Sequence, residues 1–356
     1  MVETLGDGAC ERTEALLNQY SQVAECVRTE SWSESTHPMA RPFRFIAPMP
    51  LLDQPVGHWR DAVRRIEDLG FSTVSISDHF TRGWVMEPMA ALLAAADATK
   101  NLRVLTLVLG NDYRHPVLLH KAAATIDVFS EGRIELGLGT GWLASEYAAA
   151  GLQFDPPPTR VARLAESVRV VKGLFGPEAL TFEGAYYQVR QLDGLPKPVQ
   201  QPHPPILVGG GSRRVLEMAA READIVSVHC SLGEGALGPA AAADLAAERV
   251  ATKVGWVRAA AAAAGRPDDE LELQFSIYMC RITGTVGHGA EAASSFAGLL
   301  EADPRLVAES PAVLCGTVSQ CVELLQERRE RYGFSYIKFS ADVDQVAPIV
   351  ARLAGT

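Results

Sequence analysis

The sequence predicts an α/β protein that folds as a (β/α)8 TIM barrel with insertions. Eight strand-like segments alternate with helical segments along residues 41–356. Most of these strands are continuous apolar runs, which is typical of a parallel sheet covered on both faces. Eight strand–helix units of this kind fit a closed barrel better than an open sheet.

The predicted strands are short and rich in the branched and aromatic residues that favour buried β-structure. The third one, "RVLTLVLG", is apolar from its second residue to its end, and the fifth, "PPILVGGG", leaves through glycines. In chain order the eight strands are expected at 43–49, 72–77, 103–110, 133–139, 204–211, 223–229, 271–279 and 335–340.

The segments between these strands carry helical patterns. The first, "WRDAVRRIEDLG", is amphipathic and ends on Gly70, a common C-terminal stop for a helix. The second, "MAALLAAADAT", is apolar nearly throughout and predicts a buried helix. In chain order the helices are expected at 59–70, 89–99, 117–130, 160–176, 213–222, near 241–264, across 288–331 and at 344–354.

Three segments depart from the alternation. Residues 1–40 precede the first strand and carry a possible helix near 11–30; we interpret them as a dispensable or flexible N-terminal extension. The alternative is a helix that covers a barrel end or a subunit partner. Residues 177–204 are proline-rich with a hairpin-like "LTFEGAYYQV", and residues 231–240 are glycine-rich, so we expect an insertion and a flexible loop near the active site.

Composition excludes several classes of function. The 356 residues carry a formal net charge of −10, which argues against a nucleic-acid surface. The six cysteines show no C-x-x-C and no zinc-ligand spacing, so no metal site is predicted. No apolar run is long enough to span a membrane, and the acidic N-terminus lacks the pattern of a secretory signal. We expect a soluble cytoplasmic protein.

Chemistry on a TIM barrel sits at the C-terminal ends of the strands, and this rule selects the candidate residues. Each strand end is richer in polar or glycine residues than the strand before it. The candidates are Asp78 and His79 after strand two, Asn111 after strand three, Gly139, Thr140, Gly141 and Trp142 after strand four, Gly209, Gly210, Gly211 and Ser212 after strand five, His229 after strand six and Cys280 after strand seven.

His79 has two interpretations. A histidine after a strand can be a structural group whose hydrogen bonds are satisfied, or it can transfer protons. Strand alternation turns Asp78 and His79 to opposite faces, so both cannot enter the barrel mouth equally. Either one orients the other, or it binds a nearby backbone amide. His229 and Cys280 are candidates for a substrate pocket.

The two glycine clusters, "LGLGTGW" and "VGGGSRR", are candidate phosphate sites. Glycine lets the backbone approach a ligand closely, and exposed N–H groups at a helix start attract anions. We expect Ser212 to cap the following helix and to offer a hydroxyl. The alternative for either cluster is tight-turn geometry alone. Neither matches a Rossmann or Walker pattern, and the chain contains no G-x-S-x-G or H-E-x-x-H motif.

Several long motifs in the same order resemble the luciferase-like monooxygenase superfamily. They are "EDLGFSTVSISDH", "YRHPVLLHKAAATIDVFSEGRIELGLGTGW", the "F-EGAYYQV" segment and "HPPILVGGGSRRVLEMAAREADIV". The similarity runs from about Phe43 to the C-terminus and is weakest across 231–330. The branch resembled is the group that depends on the deazaflavin coenzyme F420.

The resemblance implies a cofactor at the C-terminal mouth of the barrel. In relatives the histidine of the S-D-H motif faces the reacting end of the ring and helps proton transfer, which assigns that role to His79 with Asp78 as its support. The G-T-G and G-G-G-S loops hold the cofactor's phosphate. A cis peptide that supports the ring's concave face is expected at Leu107–Val108. The resemblance also implies a small-molecule substrate and a homodimer.

One position departs from the family pattern and two alternatives stay open. The deazaflavin-dependent sugar-phosphate dehydrogenase has a proton-donating glutamate directly after G-T-G; this chain has Trp142 there, with Glu146 four residues on. We expect Glu146 to be a capping or loop-bracing carboxylate; the alternative is that it reaches the mouth from the loop helix. The first alternative is a monooxygenase that uses reduced FMN and oxygen with a separate flavin reductase. The second is a flavin-free binding protein, against which the intact His79 and glycine loops argue.

Overall fold

Parallel strands close into a barrel in the computed structural model, which describes residues 41–81, 85–231, 238–285 and 288–356. The strands are β1 Arg44–Pro48, β2 Thr73–Ile76, β3 Arg103–Thr106, β4 Leu109–Gly110, β5 Ile134–Gly139, β6 Leu180–Glu183, β7 Gln188–Leu192, β8 Ile206–Gly210, β9 Ile225–Val228, β10 Glu272–Ile277, β11 Met279–Ile282, β12 Val313–Gly316 and β13 Phe334–Phe339. The barrel order is β3-β2-β1-β13-β10-β9-β8-β5-β4, and pairing of β3 with β5 closes it. Since β4 continues β3 along the chain, the two count as one strand of the barrel, and the barrel has eight strands, as predicted.

Helices follow the barrel strands and cover their outer side. They are α1 Val56–Asp68, α2 Pro88–Ala98, α3 Pro116–Phe129, α4 Ala144–Ala149, α5 Pro157–Phe175, α6 Arg213–Glu222, α7 Pro239–Asp244, α8 Ala247–Ala263, α9 His288–Leu300, α10 Pro304–Glu309, α11 Val318–Tyr332 and α12 Val343–Leu353. Local sequence explains their bounds. Thr317 and Gln320 form a capping box that starts α11, and Gly333 ends it at a φ of 84°.

Two apolar layers hold the barrel together. The larger lies between strands and helices; Trp59, Val63 and Ile66, at helical spacing on α1, belong to it. The smaller fills the barrel interior, where the buried side chains are Ile46, Leu105, Leu207, Ile225 and Tyr336. Leu107 and Val108 pack against this interior cluster. The interior is therefore a filled core that forms the floor of the mouth.

A buried ionic layer lies below that floor. Glu135 on β5 accepts hydrogen bonds from Arg44 on β1 and Arg103 on β3, both at 2.7 Å, and from the Tyr336 hydroxyl at 2.6 Å. Burial alone would raise the pKa of Glu135, but the two guanidinium groups lower it below its ordinary value. These groups tie the N-terminal ends of three strands together, so we assign them to the scaffold.

The structure adds detail that the sequence pattern lacked. The insertion at 177–204 contains the expected antiparallel hairpin, β6–β7. The helices expected near 241–264 are α7 and α8, whereas the stretch 288–331, expected as helices, also contains strand β12, which pairs with β11 in a separate two-stranded sheet. Helix α4 was not predicted. The extension 1–40 and residues 232–237 of the loop lie outside the described residues. No helix in the described ranges is long and apolar enough to cross a membrane.

Candidate active site

His79 lies at the mouth of the barrel, just past the end of β2. On that strand Val74 and Ile76 belong to the outer core, whereas Thr73 faces the interior, where its hydroxyl lies within hydrogen-bond distance of the Tyr336 hydroxyl, at 2.8 Å. Side chains alternate along a strand, so the odd-numbered positions continue the inward face. This alternation directs His79 inward and Asp78 outward.

Asp78 braces the neighbouring strand end. Its Oδ2 accepts a 3.1 Å hydrogen bond from the backbone N–H of Gly110 and a 2.5 Å bond from Nη1 of Arg114. Arg114 also binds Glu87 at 2.7 Å, which links the loop after β4 to the start of α2. The sequence left open whether Asp78 orients His79 or binds a nearby backbone amide. The structure shows that it binds a backbone amide, that of Gly110.

The carboxylate on the ring of His79 is Glu146. Its Oε2 lies 2.8 Å from Nδ1 of His79, and its side chain is fully buried. Its Oε1 accepts from the backbone N–H groups of Phe80 and Thr81 at 3.0 and 3.1 Å, and from the Thr81 hydroxyl at 2.8 Å. Glu146 therefore braces a loop, as expected, and this loop is the one after β2. It also orients the ring of His79, a role that we had expected Asp78 to have.

The charge of Glu146 fixes the role of each partner in that bond. Burial alone would raise the pKa of Glu146, but the hydrogen bonds from His79 and Thr81 lower it below its ordinary value. The group is thus an ionised carboxylate at neutral pH and can only accept. His79 then carries its proton on Nδ1 when neutral, which leaves Nε2 as a proton acceptor.

Aromatic rings enclose this pair. The indole of Trp142 meets the His79 ring edge-on, with centroids 5.6 Å apart and an interplanar angle of 79°. Phe80 packs on Tyr113 at 4.5 Å, and Tyr113 packs on Tyr147 at 5.2 Å. Burial, followed by the charge of Glu146, raises the pKa of Tyr113. Trp142 thus restrains the imidazole by packing.

The peptide bond between Leu107 and Val108 is cis, at the place that the family resemblance implied. It separates β3 from β4, and the carbonyl of Leu107 accepts a 3.0 Å hydrogen bond from the hydroxyl of Ser77. The side chain of Val108 lies against two glycines. A Cβ on Gly139 would come 2.7 Å from Cγ2 of Val108, and one on Gly209 would come 3.3 Å from Cγ1. Gly139 at the end of β5 and Gly209 in β8 therefore make room for Val108.

Close packing within the chain also explains the other loop glycines. A Cβ on Gly141, whose φ is +70°, would lie 2.0 Å from the Tyr147 hydroxyl. One on Gly210 would lie 2.3 Å from Val215, and one on Gly211 would lie 2.3 Å from the backbone carbon of Cys230. The carbonyl of Thr140 accepts a 3.0 Å hydrogen bond from Arg160. Close packing thus accounts for each of these glycines, and Gly141 alone among them also has the positive φ that tight-turn geometry requires.

Two features nevertheless fit a bound cofactor. Ser212 is the N-cap residue of α6, but its side chain makes no capping bond, contrary to expectation. The exposed Ser212 hydroxyl and the first N–H groups of α6 are therefore available to an anion such as a phosphate. Asn111 is buried, and its Oδ1 has no hydrogen-bond partner among the described residues. Such an orphaned acceptor fits a polar group of a ligand.

Asn111 borders a polar pocket of about 340 Å³. The loop after β4, the segment before α5 and the insertion hairpin form its walls; they contribute Arg114, His115, Asp155 and Tyr187 among others. Nδ2 of Asn111 donates to the Tyr187 hydroxyl at 3.4 Å. The insertion thus borders the candidate site through Tyr187.

His229 and Cys280, both predicted for a substrate pocket, have different surroundings. His229 follows β9, and the Tyr278 hydroxyl lies 3.0 Å from its Nδ1 and closer still to its Nε2. Burial, and then the charge of Lys338, lowers the pKa of His229 to about 4. Cys280 is carried past the barrel onto β11, and there Cys321 and Cys315 add to burial in raising its thiol pKa to about 12. Cys280 thus lies in the separate β11–β12 sheet and not at the end of a barrel strand.

Sequence reasoning did not foresee the contact of Glu146 with His79, and it missed Lys338. The partnership of Glu146 with His79 joins residues 67 positions apart and follows from the fold of the loop before α4. Lys338, inside β13, was not singled out, although a lysine within "SYIKFS" is unusual for a strand buried on both faces. No group of three or more His, Cys, Asp and Glu side chains in the described ranges could hold a metal ion.

Comparison with known proteins gives matches over most of the barrel. The family model for luciferase-like monooxygenases matches residues 42–335. An FMNH2-dependent dimethylsulfone monooxygenase from Pseudomonas putida is 37% identical over 134 residues, which cover 38% of this chain and 36% of that protein. An F420-dependent glucose-6-phosphate dehydrogenase from Amycolatopsis mediterranei is 32% identical over 177 residues, which cover 48% of this chain and 52% of that protein. The chain thus matches about half or less of the length of these relatives.

Solved structures extend the likeness to the whole barrel. The monooxygenase RslO1 from Streptomyces bottropensis is 25% identical, covers 87% of this chain and 97% of its own, and superposes with a TM-score of 0.66. An F420-dependent secondary alcohol dehydrogenase, at 18% identity, covers 88% of this chain and 98% of its own with a TM-score of 0.69, which shows a shared fold. With its barrel, its S-D-H strand end and a family match over residues 42–335, the chain belongs to the luciferase-like monooxygenase family.

Proposed function

We propose that this protein is an F420-dependent oxidoreductase that transfers hydride to or from a small organic substrate. The observation that carries the proposal is the His79–Glu146 pair at the barrel mouth, 2.8 Å apart, next to two glycine loops. Matches to F420-dependent glucose-6-phosphate dehydrogenases over about half the chain support the choice of cofactor.

The residues that would hold the cofactor lie on three consecutive barrel strands. Gly209, Gly210, Gly211 and Ser212, at the start of α6, would bind the phosphate, together with Gly139, Thr140 and Gly141. Leu107 and Val108 would support the ring, with Asn111 at its polar edge. Trp142 would pack beside it. When bound, a deazaflavin supplies hydride-transfer chemistry, and the protein supplies position and electrostatics.

His79 handles the proton in this proposal. Glu146 fixes the imidazole with Nδ1 as donor, so that Nε2 can take a proton from, or return one to, a substrate oxygen in the mouth. The negative charge of Glu146 stabilises the imidazolium that forms after protonation. Asp78 supports the site indirectly, through Gly110 and Arg114.

A second function has its own support. Dimethylsulfone monooxygenases that depend on FMNH2 match this chain at 37% and 31% identity over parts of the barrel. With FMN as cofactor, the protein would be a monooxygenase and would need a separate flavin reductase as partner. The residues proposed for phosphate and ring would be the same.

Assembly, location and substrate complete the proposal. Resemblance to the family supports a homodimer, and the composition favours the cytoplasm. A small molecule would reach the ring through the mouth, beside His229 and the insertion. Trp142 stands where the sugar-phosphate dehydrogenase has a glutamate, so a glucose 6-phosphate substrate is not carried over to this chain.

Titration of the purified protein with each cofactor tests the choice. We expect F420 to bind with a micromolar dissociation constant, followed by the change in its absorbance and fluorescence, and FMN to bind at least about tenfold more weakly. Binding of FMN without binding of F420 would replace the first proposal by the second. Absence of binding by both would favour the flavin-free alternative.

A further inference from the structure

Three neighbouring strands bring a second polar group to the barrel mouth. In the barrel order β13, β10 and β9 are adjacent. Ser276 on β10 pairs with Lys338 on β13, and Phe275 pairs with Val228 on β9. The residue after Val228 is His229, so His229, Ser276 and Lys338 lie at one level of the barrel.

Lys338 faces the barrel interior. Two positions earlier on the same strand, the Tyr336 hydroxyl reaches Glu135 at 2.6 Å across the interior, while Ile337 and Phe339 belong to the outer core. Alternation therefore turns Lys338 inward, two residues nearer the C-terminal mouth than Tyr336. Its side chain is partly buried and rises above the apolar floor that includes Ile46.

Lys338 has no hydrogen bond or ion pair with any residue of the described ranges. The buried lysine of helix α8 differs from it: Lys253 is completely buried, and its ammonium binds the Asp244 carboxylate at 2.6 Å and the His229 carbonyl at 2.8 Å. A buried ammonium without an anion is costly. Burial accordingly lowers the pKa of Lys338 to about 8, which leaves it mostly charged at neutral pH.

The groups around Lys338 are neutral. The pKa of His229 is about 4, and burial raises that of Tyr278 well above its ordinary value. Beside them, burial raises the pKa of the Cys230 thiol to about 11. On the other side β1 contributes the apolar Ile46. The lysine is thus the single group of this cluster whose charge changes just above neutral pH.

We propose that Lys338 is a substrate-binding residue that pairs with an anionic oxygen of the substrate, such as a carboxylate or sulfonate, while the Tyr278–His229 pair offers hydrogen bonds to the same group. The ligand would supply the counter-charge that the described part of the chain does not provide. Charge-assisted bonds in a partly dehydrated mouth are among the stronger polar interactions. The substrate class is therefore a small organic anion. This inference rests on the proposed function for the place of reaction, but it can be tested without it.

Calorimetric titration with a matched pair of probes tests the proposal. Methanesulfonate and dimethyl sulfone have nearly the same shape, but only the first is an anion. We expect the wild type, with and without F420, to bind methanesulfonate more tightly than dimethyl sulfone at neutral pH. Lys338→Met should weaken methanesulfonate binding by about tenfold or more. Lys100→Met, at an exposed position, should leave it unchanged.

The pH dependence adds an independent readout. Because the ammonium loses its charge on deprotonation, affinity for methanesulfonate should fall as pH rises through about 8 in the wild type and stay flat in Lys338→Met. Equal binding of both probes, absence of methanesulfonate binding, or unchanged binding in the variant would overturn the proposal. So would an equal loss of F420 affinity in Lys338→Met, which would place the lysine on the cofactor. Failure of F420 to bind the wild type would instead count against the proposed function alone.

Discussion

Nδ1 of His79 lies 2.8 Å from Oε2 of Glu146, and this bond joins the end of the second barrel strand to the short helix after the fourth. Glu146 also accepts two backbone N–H groups of the loop that carries His79. One carboxylate therefore fixes both the loop and the ring on it. Such a carboxylate–histidine pair sets the tautomer and the orientation of a proton-transferring imidazole.

His79→Ala should reduce turnover sharply without unfolding the protein. The ring is partly exposed in the mouth, so its loss should leave the melting temperature and the F420 dissociation constant nearly unchanged. Turnover should fall by about 100-fold or more, as expected when a general acid–base is removed. Oxidation of reduced F420 by small acceptors, followed by the return of its absorbance, measures this. His58→Ala, at an exposed site on α1, is the control; equal turnover of both variants would make His79 structural.

Glu146→Gln should change how stability depends on pH. The folded-state pKa of Glu146 is lowered from 4.5, so its ionised form stabilises the fold above the unfolded-state pKa. That contribution is lost as pH falls through the lowered folded-state pKa. Urea unfolding across the acid range should show a shallower loss of stability in Glu146→Gln than in the wild type. Exposed Glu183→Gln should behave as the wild type; identical curves for all three would contradict the account.

Asp78→Ala should act on the scaffold. It leaves the partly buried Arg114 without its main partner and frees the N–H of Gly110. We expect a loss of about 2–3 kcal/mol in the free energy of unfolding, below the range for fully buried pairs because Arg114 is partly exposed. Glu87→Gln removes the outer partner of the same arginine and should cost about 0.5 kcal/mol or less. Chemical denaturation measures both losses of unfolding free energy. Equal losses in the two variants would contradict the scaffold role of Asp78.

Gly211→Ala should disturb the loop before α6. A methyl group there would lie 2.3 Å from the backbone of Cys230, which cannot move as a side-chain end would. We expect a destabilisation of about 3 kcal/mol and weaker F420 binding. Gly255→Ala, inside α8 with open space around it, should instead stabilise by about 0.5–1 kcal/mol. An unchanged free energy of unfolding in Gly211→Ala would show that the backbone of Cys230 can move away from residue 211 at little cost.

Apolar periodicity and family motifs together predicted the barrel, because a parallel strand buried on both faces has a distinctive composition. They also placed His79 at a strand end and the cis bond at Leu107–Val108. They could not predict which carboxylate reaches His79, since this depends on the path of the loop between Trp142 and α4. Alternation could have found Lys338: it shares its strand face with the interior Tyr336.

The surroundings of Cys280 depend on a strand pairing that the sequence pattern did not reveal. Its position after strand seven predicted a place at the mouth, but the chain continues into β11, where it pairs with β12. Strand β11 begins two residues after β10 ends and has no hydrophobic signal of its own. Apolar and polar residues alternate from 271 to 277, and the apolar residues then continue to 280 without a break. Tertiary pairing therefore decided the environment of the thiol.

The ring nitrogens of His79 provide the most direct test of the central claim, that this histidine faces a bound cofactor with Nδ1 held by Glu146. Long-range ¹H–¹⁵N spectra of the protein, recorded before and after saturation with F420, would measure it. The account predicts that the neutral form of the ring carries its proton on Nδ1 and that the Nε2 resonance shifts when F420 binds, while the resonances of His58 stay in place. A proton on Nε2, or F420 binding with no shift at His79, would contradict it.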